Sequence, residues 1–139
     1  MVKFEISTPE QIKNDHLAIR FLESGAKGFG GILSVNKALD GFNPSQAAFI
    51  IVKHGSETIG AIYLTFTQQE VGKVMSSVLL GGNNFSEWSK ELSDFYYQIA
   101  KENYCDEFML MGRKGFKKYF PELCEVATVF RVKLTNVNK

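Results

Sequence analysis

The stretch from Val71 to Phe120 constrains this chain more than any other. An apolar run, Val71–Leu80, stops at Gly81-Gly82-Asn83-Asn84, and an amphipathic helix then carries Trp88, Leu92, Phe95 and Ile99 along one face. Phe108-Met109-Leu110-Met111 reads as a buried strand, and Gly112-Arg113-Lys114-Gly115-Phe116-Lys117-Lys118-Tyr119 starts a short basic helix. Strand, helix and strand together make a crossover, which predicts a parallel, right-handed pair. A glycine turn between strand and helix also gathers free backbone N–H groups in one place, which suits an anion.

Upstream, Val2–Ile6 alternates apolar and charged residues as a half-buried strand does. Thr8, Pro9 and Gln11 form a capping-box signature for a helix running to about Gly25. Its stripe holds Ile12, His16 and Ile19, with Leu17 and Phe21 beside it. Gly25, Gly28, Gly30 and Gly31 then break the chain, and a second helical segment around Ile32–Leu39 stops at Asp40-Gly41. After Asn43-Pro44 come three strands, Ala47–Lys53, Thr58–Thr67 and Val71–Leu80, joined by turns at 54–57 and 68–70. Asn84 is the expected cap of the long helix, with Glu87 as its capping-box partner. Pro121 ends the basic helix 114–120, and Glu125–Leu134 is the last strand.

The order β-α-α-β-β-β-α-β-α-β predicts a mixed α/β domain (α+β mixed sheet) spanning residues 1–139. Its sheet is mostly antiparallel with one parallel pair, strand 107–111 lies at its centre, and helices cover both faces. The parallel pair should part beside residues 76–80 and leave a notch capped by the glycine turn.

Sixteen basic against fifteen acidic residues produce no field that draws the chain to nucleic acid. No apolar run approaches the ~20 residues that cross a bilayer, and the N-terminus lacks a signal-peptide profile. Cys105 and Cys124 are too few for a disulfide framework. The expectation is a non-secreted protein that works in the cytoplasm, or inside a particle made in the cell. His16 and His54 have no partner at metal-ligand spacing, so no metal site is expected.

The element order resembles the GCN5-related N-acetyltransferase (GNAT) fold over nearly the whole chain. Gly112–Cys124 is similar to the family's fourth-helix signature, with Tyr119 on the position of its tyrosine. The resemblance implies an N-acyltransferase that uses acetyl-CoA, acts on an amine, and protonates the departing thiolate from Tyr119. The family's Arg/Gln-x-x-Gly-x-Gly/Ala run is replaced by Leu79-Leu80-Gly81-Gly82-Asn83-Asn84-Phe85-Ser86, a degenerate phosphate-binding loop. That departure resembles small divergent members from tailed bacteriophages. It implies an alternative, a non-catalytic structural or adaptor protein of the virion that binds other viral proteins and forms oligomers.

Each candidate has a plainer reading. Leu79, Leu80, Gly81, Gly82, Asn83 and Asn84 either hold a cofactor or make an ordinary strand–helix turn. Arg113, with Lys114, Lys117 and Lys118, meets a phosphate, a nucleic-acid backbone or an acidic partner, or forms a solvated helix face. Arg113 stands out because it sits at the carboxyl end of a buried strand. Tyr119 is a proton donor or a core aromatic. Strand 71–80 carries no carboxylate, so the base falls to Glu70, acting through water. Tyr96 and Tyr97 lie on the flank of the long helix, where they can dock a partner.

Overall fold

The computed structural model describes residues 1–28, 30–111, 118–121, 123 and 134. Five strands form one sheet in the order β1-β2-β3-β4-β5: β1 (Val2–Ser7), β2 (Ala47–His54), β3 (Glu57–Gln69), β4 (Gly72–Gly82) and β5 (Glu107–Leu110). Four helices accompany them: α1 (Pro9–Lys13), α2 (His16–Gly28), α3 (Val35–Asp40) and α4 (Phe85–Glu102). The first three pairings are antiparallel and β4–β5 is parallel, as the crossover requires. The architecture is a mixed α/β fold.

Two apolar layers flank the sheet because period-2 alternation sends successive strand residues to opposite faces. On one face Phe49, Ile51, Ala61, Tyr63 and Leu79 pack against α1, α2 and α3. On the other, Ile50, Val52, Ile62, Leu64 and Leu80 meet Trp88, Leu92, Tyr96 and Ile99 of α4. Full burial of such side chains is worth about 1.5–3 kcal/mol each, so the two layers hold the domain together.

The expected first helix is two. The Thr8 capping box is present, with Gln11 N–H donating to Thr8 Oγ1 and Thr8 N–H to Gln11 Oε1. α1 ends at Lys13, and Asp15 then starts α2 by accepting the Ala18 amide at Oδ1, 3.0 Å away. Its other oxygen accepts the Thr58 hydroxyl at 2.7 Å, tying the break to β3. The break also resets the helical phase. Ala18, Phe21 and Leu22 turn inward, and His16 and Leu17 turn outward.

Gly25 does not stop α2. A Cβ there would stand 2.7 Å from Leu80 N, so this glycine lets the helix backbone lie on β4. α3 starts at Val35, later than expected, because the Ser34 hydroxyl caps it by accepting from Lys37 N. β3 runs on to Gln69, with the turn at Glu70-Val71, and β4 takes in both Gly81 and Gly82. β5 is half-buried and pairs with β4 alone among the described residues, the strand expected on its other side lying outside them. Asp106 sets its start: its amide donates to Lys73 O and its carboxylate accepts from Lys73 N. The expected helix 114–120, apart from Lys118–Phe120, and all but Leu134 of the last strand lie outside the described residues.

Candidate functional site

β5 follows β4 only from Val74 opposite Glu107 to Ser77 opposite Leu110, and a last bond runs from Met111 N–H to Ser77 O at 3.0 Å. β4 continues to Gly82, held by β3 alone among the described residues. Among the described residues the pairing ends beside the point where the β3–β4 register shifts. Tyr63 faces Leu79 while Leu64 faces Ser77, so Val78 is an inserted residue, a β-bulge. Val78 and Leu79 accordingly both join the α1–α3 layer, and Leu80 returns to the α4 layer.

Asn83 N–H donates to Ile59 O at 2.8 Å, which continues the ladder past Gly82. By the antiparallel alternation, Leu79 and Gly81 direct their backbone groups to β3. Leu80 and Gly82 direct theirs to the opposite side, the side on which β5 pairs with β4 further back along the strand. This edge is backed by α2, whose Phe21 carbonyl lies against Gly81 so closely that no side chain fits there.

The turn into α4 is fastened by Trp88. Its indole N–H donates to Asn83 O at 2.7 Å, and its ring lies against Gly82 and Gly60, where Cβ atoms would come within 2.6 and 2.9 Å. Two of the turn's features therefore serve packing. Gly81 admits α2 and Gly82 admits the indole. Asn84 takes a left-handed conformation (φ 53°) and its side chain makes no cap bond, so the expected capping box with Glu87 is absent. A capping side chain needs extended backbone at that residue, which a left-handed one does not provide.

Tyr119 is half-buried, edge-on to Phe85 with ring centroids 4.9 Å apart, and Lys118 Nζ lies 5.0 Å above its ring. The fold thus gathers Tyr119 and Lys118 at the first residue of α4, beside Asn84. Phe120 is fully buried against Tyr96 and Phe85. Glu70 is not part of this cluster. It is exposed in the β3–β4 turn, at the opposite end of β4, and the strand alone puts roughly 30 Å between Gly72 and Gly81 at 3.3 Å per residue. Arg113, Lys114 and Lys117 lie outside the described residues.

Tyr96 is fully buried and shares a 2.7 Å hydrogen bond with Ser77, so it is not the docking residue that helix flank suggested. Burial pushes its pKa well above the ordinary tyrosine value, with the Ser77 bond pulling the other way. Burial likewise raises Tyr63 and the free thiol of Cys105, the latter against the pull of Lys73. Sequence reasoning missed Ser77, Trp88's bond and the Val78 bulge. Only the two serines in an otherwise apolar strand hinted at a polar contact there.

A cavity of about 290 Å³ lies between α2 and α3, lined by Ile19, Glu23, Lys27, Leu33 and Val35. Among the described residues, no group of three or more His, Cys, Asp or Glu stands together, and no helix is long and apolar enough to cross a membrane.

A predicted acetyltransferase of Clostridium acetobutylicum, solved with acetyl-CoA, shares this arrangement over 100% of both chains, with a TM-score of 0.67 at 14% identity. The fold is that of the GNAT acetyltransferases. A ribosomal-protein-alanine N-acetyltransferase from Brucella melitensis biovar Abortus 2308 matches 96% of this chain and 100% of its own at TM-score 0.67 and 12% identity. An aminoglycoside acetyltransferase from an uncultured soil metagenomic sample, in complex with sisomicin, matches 95% and 97% at TM-score 0.65 and 13% identity. No protein-family model and no curated protein matches the sequence.

Proposed function

We propose that this chain is an N-acetyltransferase that takes its acetyl group from acetyl-CoA and passes it to an amine. The observation that supports the reading is the backbone alternation of β4, which turns the backbone groups of Leu80 and Gly82 away from β3 and towards no strand among the described residues. An extended chain of amides can add to such an edge as a strand would, and the pantetheine arm is one. The residues present fit the other end of the molecule too. Gly81 and Asn83 are committed to β3 and Glu87 N–H to the Asn84 carbonyl, while the positive end of the 18-residue α4 dipole stands at this turn. Lys118 adds a cation beside it, and Arg113 is the second candidate.

The thioester would supply the activated acetyl group. The chain's own part is positional and protic. Leu80 and Gly82 hold the arm, α2's bare backbone at Gly25 keeps the edge narrow, and Tyr119 gives its phenolic proton to the departing sulfur. Glu70 is too far along β4 to act on the same centre. A separate base from this chain is not assigned: an amine that arrives unprotonated attacks directly as the C–S bond breaks, and the proton its nitrogen then sheds restores the Tyr119 phenol. The amine-modifying activities named for the Brucella and soil-sample acetyltransferases are the basis for an amine as acceptor. Nothing in the described residues favours the virion adaptor.

Titration calorimetry with acetyl-CoA tests the reading. Heat saturating below millimolar ligand, with release of free thiol when an amine mixture is added, is the expected result. A folded protein that takes up no acetyl-CoA would end it.

A further inference from the structure

We propose that this chain pairs with a second copy of itself through the outer edge of β1, the two strands running antiparallel about a twofold axis at Phe4. The proposal is independent of the acetyl-CoA reading. β1 is the first strand of the sheet and pairs with β2 alone among the described residues. This end of the sheet meets solvent: Lys3 and Glu5 are exposed, and Ile6 is 68% exposed.

Ladder alternation decides which backbone groups that edge offers. Phe66 N–H donates to Gln46 O at 2.8 Å, so Ala48, Ile50 and Val52 of β2 turn their groups to β3. Phe49, Ile51 and Lys53 turn theirs to β1 and meet Ser7, Glu5 and Lys3. Val2, Phe4 and Ile6 therefore direct their N–H and C=O groups outward. Phe4 stacks on Phe95 of α4 with centroids 4.6 Å apart, so the strand is held in place before any partner arrives.

Charge picks the partner and the register. Lys3 lies directly opposite Lys53 of β2, a repulsive cross-strand pair, and Glu5 reaches Lys53 at 4.0 Å. Lys53 thus has a carboxylate, and Lys3 has none within ion-pair reach among the described residues. A second β1 laid antiparallel with Phe4 opposite Phe4 sets its Glu5 against Lys3 and its Lys3 against Glu5. Those pairs fall at the non-hydrogen-bonded positions, where side chains across a ladder come closest. Phe4 with Phe4, and Val2 with Ile6, exchange the outward N–H···O bonds, and the exposed Ile6 gains Val2 as an apolar neighbour. Moving the axis one residue either way sets Lys3 against Lys3 or Glu5 against Glu5, so the strand's own charges favour the Phe4 alignment. A lysine on an edge strand ordinarily wards off pairing. With a glutamate two residues on, it complements its own copy.

Sedimentation equilibrium of the full chain from micromolar to millimolar concentration reads the pairing. The expected result is a monomer–dimer equilibrium whose dissociation constant rises at least about tenfold in Lys3→Glu and in Glu5→Lys, each of which sets like charges together. Mixing the two variants should restore native pairing, because a Lys3→Glu strand beside a Glu5→Lys strand again matches opposite charges at both positions. A native chain that stays monomeric, single variants that dimerise like the native chain, or a mixture that stays monomeric would each overturn the proposal. Hydrogen exchange in the native chain decides if a variant does not fold. Dilution should speed exchange at the Phe4 and Ile6 amides and leave Lys3 and Glu5, bonded to β2, unchanged; equal exchange at Phe4 and Ile6 before and after dilution overturns it.

Discussion

Ser77 and Tyr96 share a 2.7 Å hydrogen bond inside the core, at the last β4 residue that β5 still pairs. Both side chains are shut off from solvent, so neither hydroxyl has water as a substitute. Tyr96→Phe leaves the serine hydroxyl without its partner and should cost about 1–3 kcal/mol. Adding Ser77→Ala should recover part of that loss, because both polar groups are then gone. Urea unfolding of the two single variants and the double variant measures the coupling.

The same burial predicts an alkaline limit. Tyr96 has its folded pKa raised above the ordinary value of 10.0, so the neutral phenol is the form the fold favours. The associated stability is fully present below that ordinary value and is lost as pH rises beyond it. Tyr63 acts in the same direction. Denaturant midpoints should fall above about pH 10, and less steeply in Tyr96→Phe than in the native chain.

α2 lies on β4 backbone to backbone. A methyl at Gly25 would meet Leu80 N at 2.7 Å, and one at Gly81 would run into the Phe21 carbonyl. Neither obstacle is the end of a flexible side chain. Gly25→Ala and Gly81→Ala should each destabilise by about 1–3 kcal/mol or more, despite alanine's higher helix propensity at position 25. Thermal unfolding shows the sign at once.

Asp15 holds two elements with one carboxylate, the Ala18 amide of α2 and the Thr58 hydroxyl of β3. Asp15→Ala should cost about 1–2 kcal/mol through the lost cap alone, plus the unsatisfied Thr58 hydroxyl. Asp15→Asn, which keeps one acceptor oxygen, should recover much of it. Melting temperatures of the two variants test the order.

Tyr119 and Glu70 should behave oppositely in turnover. Tyr119→Phe keeps the ring against Phe85 and removes the proton. Its kcat should fall about 10²-fold with acetyl-CoA affinity unchanged. Glu70→Gln, in an exposed turn at the far end of β4, should leave kcat unchanged. Steady-state assays of thiol release read both, and an active Tyr119→Phe would clear that residue of the acid role.

The existence and order of the described strands, the parallel pair, the long helix and the Thr8 cap were all legible in the sequence, because each follows from local period or from short-range side chain–backbone bonds. The resemblance to the GNAT fold rested on that order. What sequence could not show were the contacts made across the sheet. Asp15 looked like an interior helix residue until Thr58, 43 positions away, met its carboxylate. Gly25 and Gly81–Gly82 looked like breakers and a phosphate turn, since a glycine's local meaning is freedom. In the fold their meaning is the absence of a side chain where α2 and Trp88 press on β4. The bulge at Val78 likewise depends on register between distant strands. Local propensity chose the elements; the tertiary structure chose which backbone groups were left facing outward, because only packing decides what each strand edge meets.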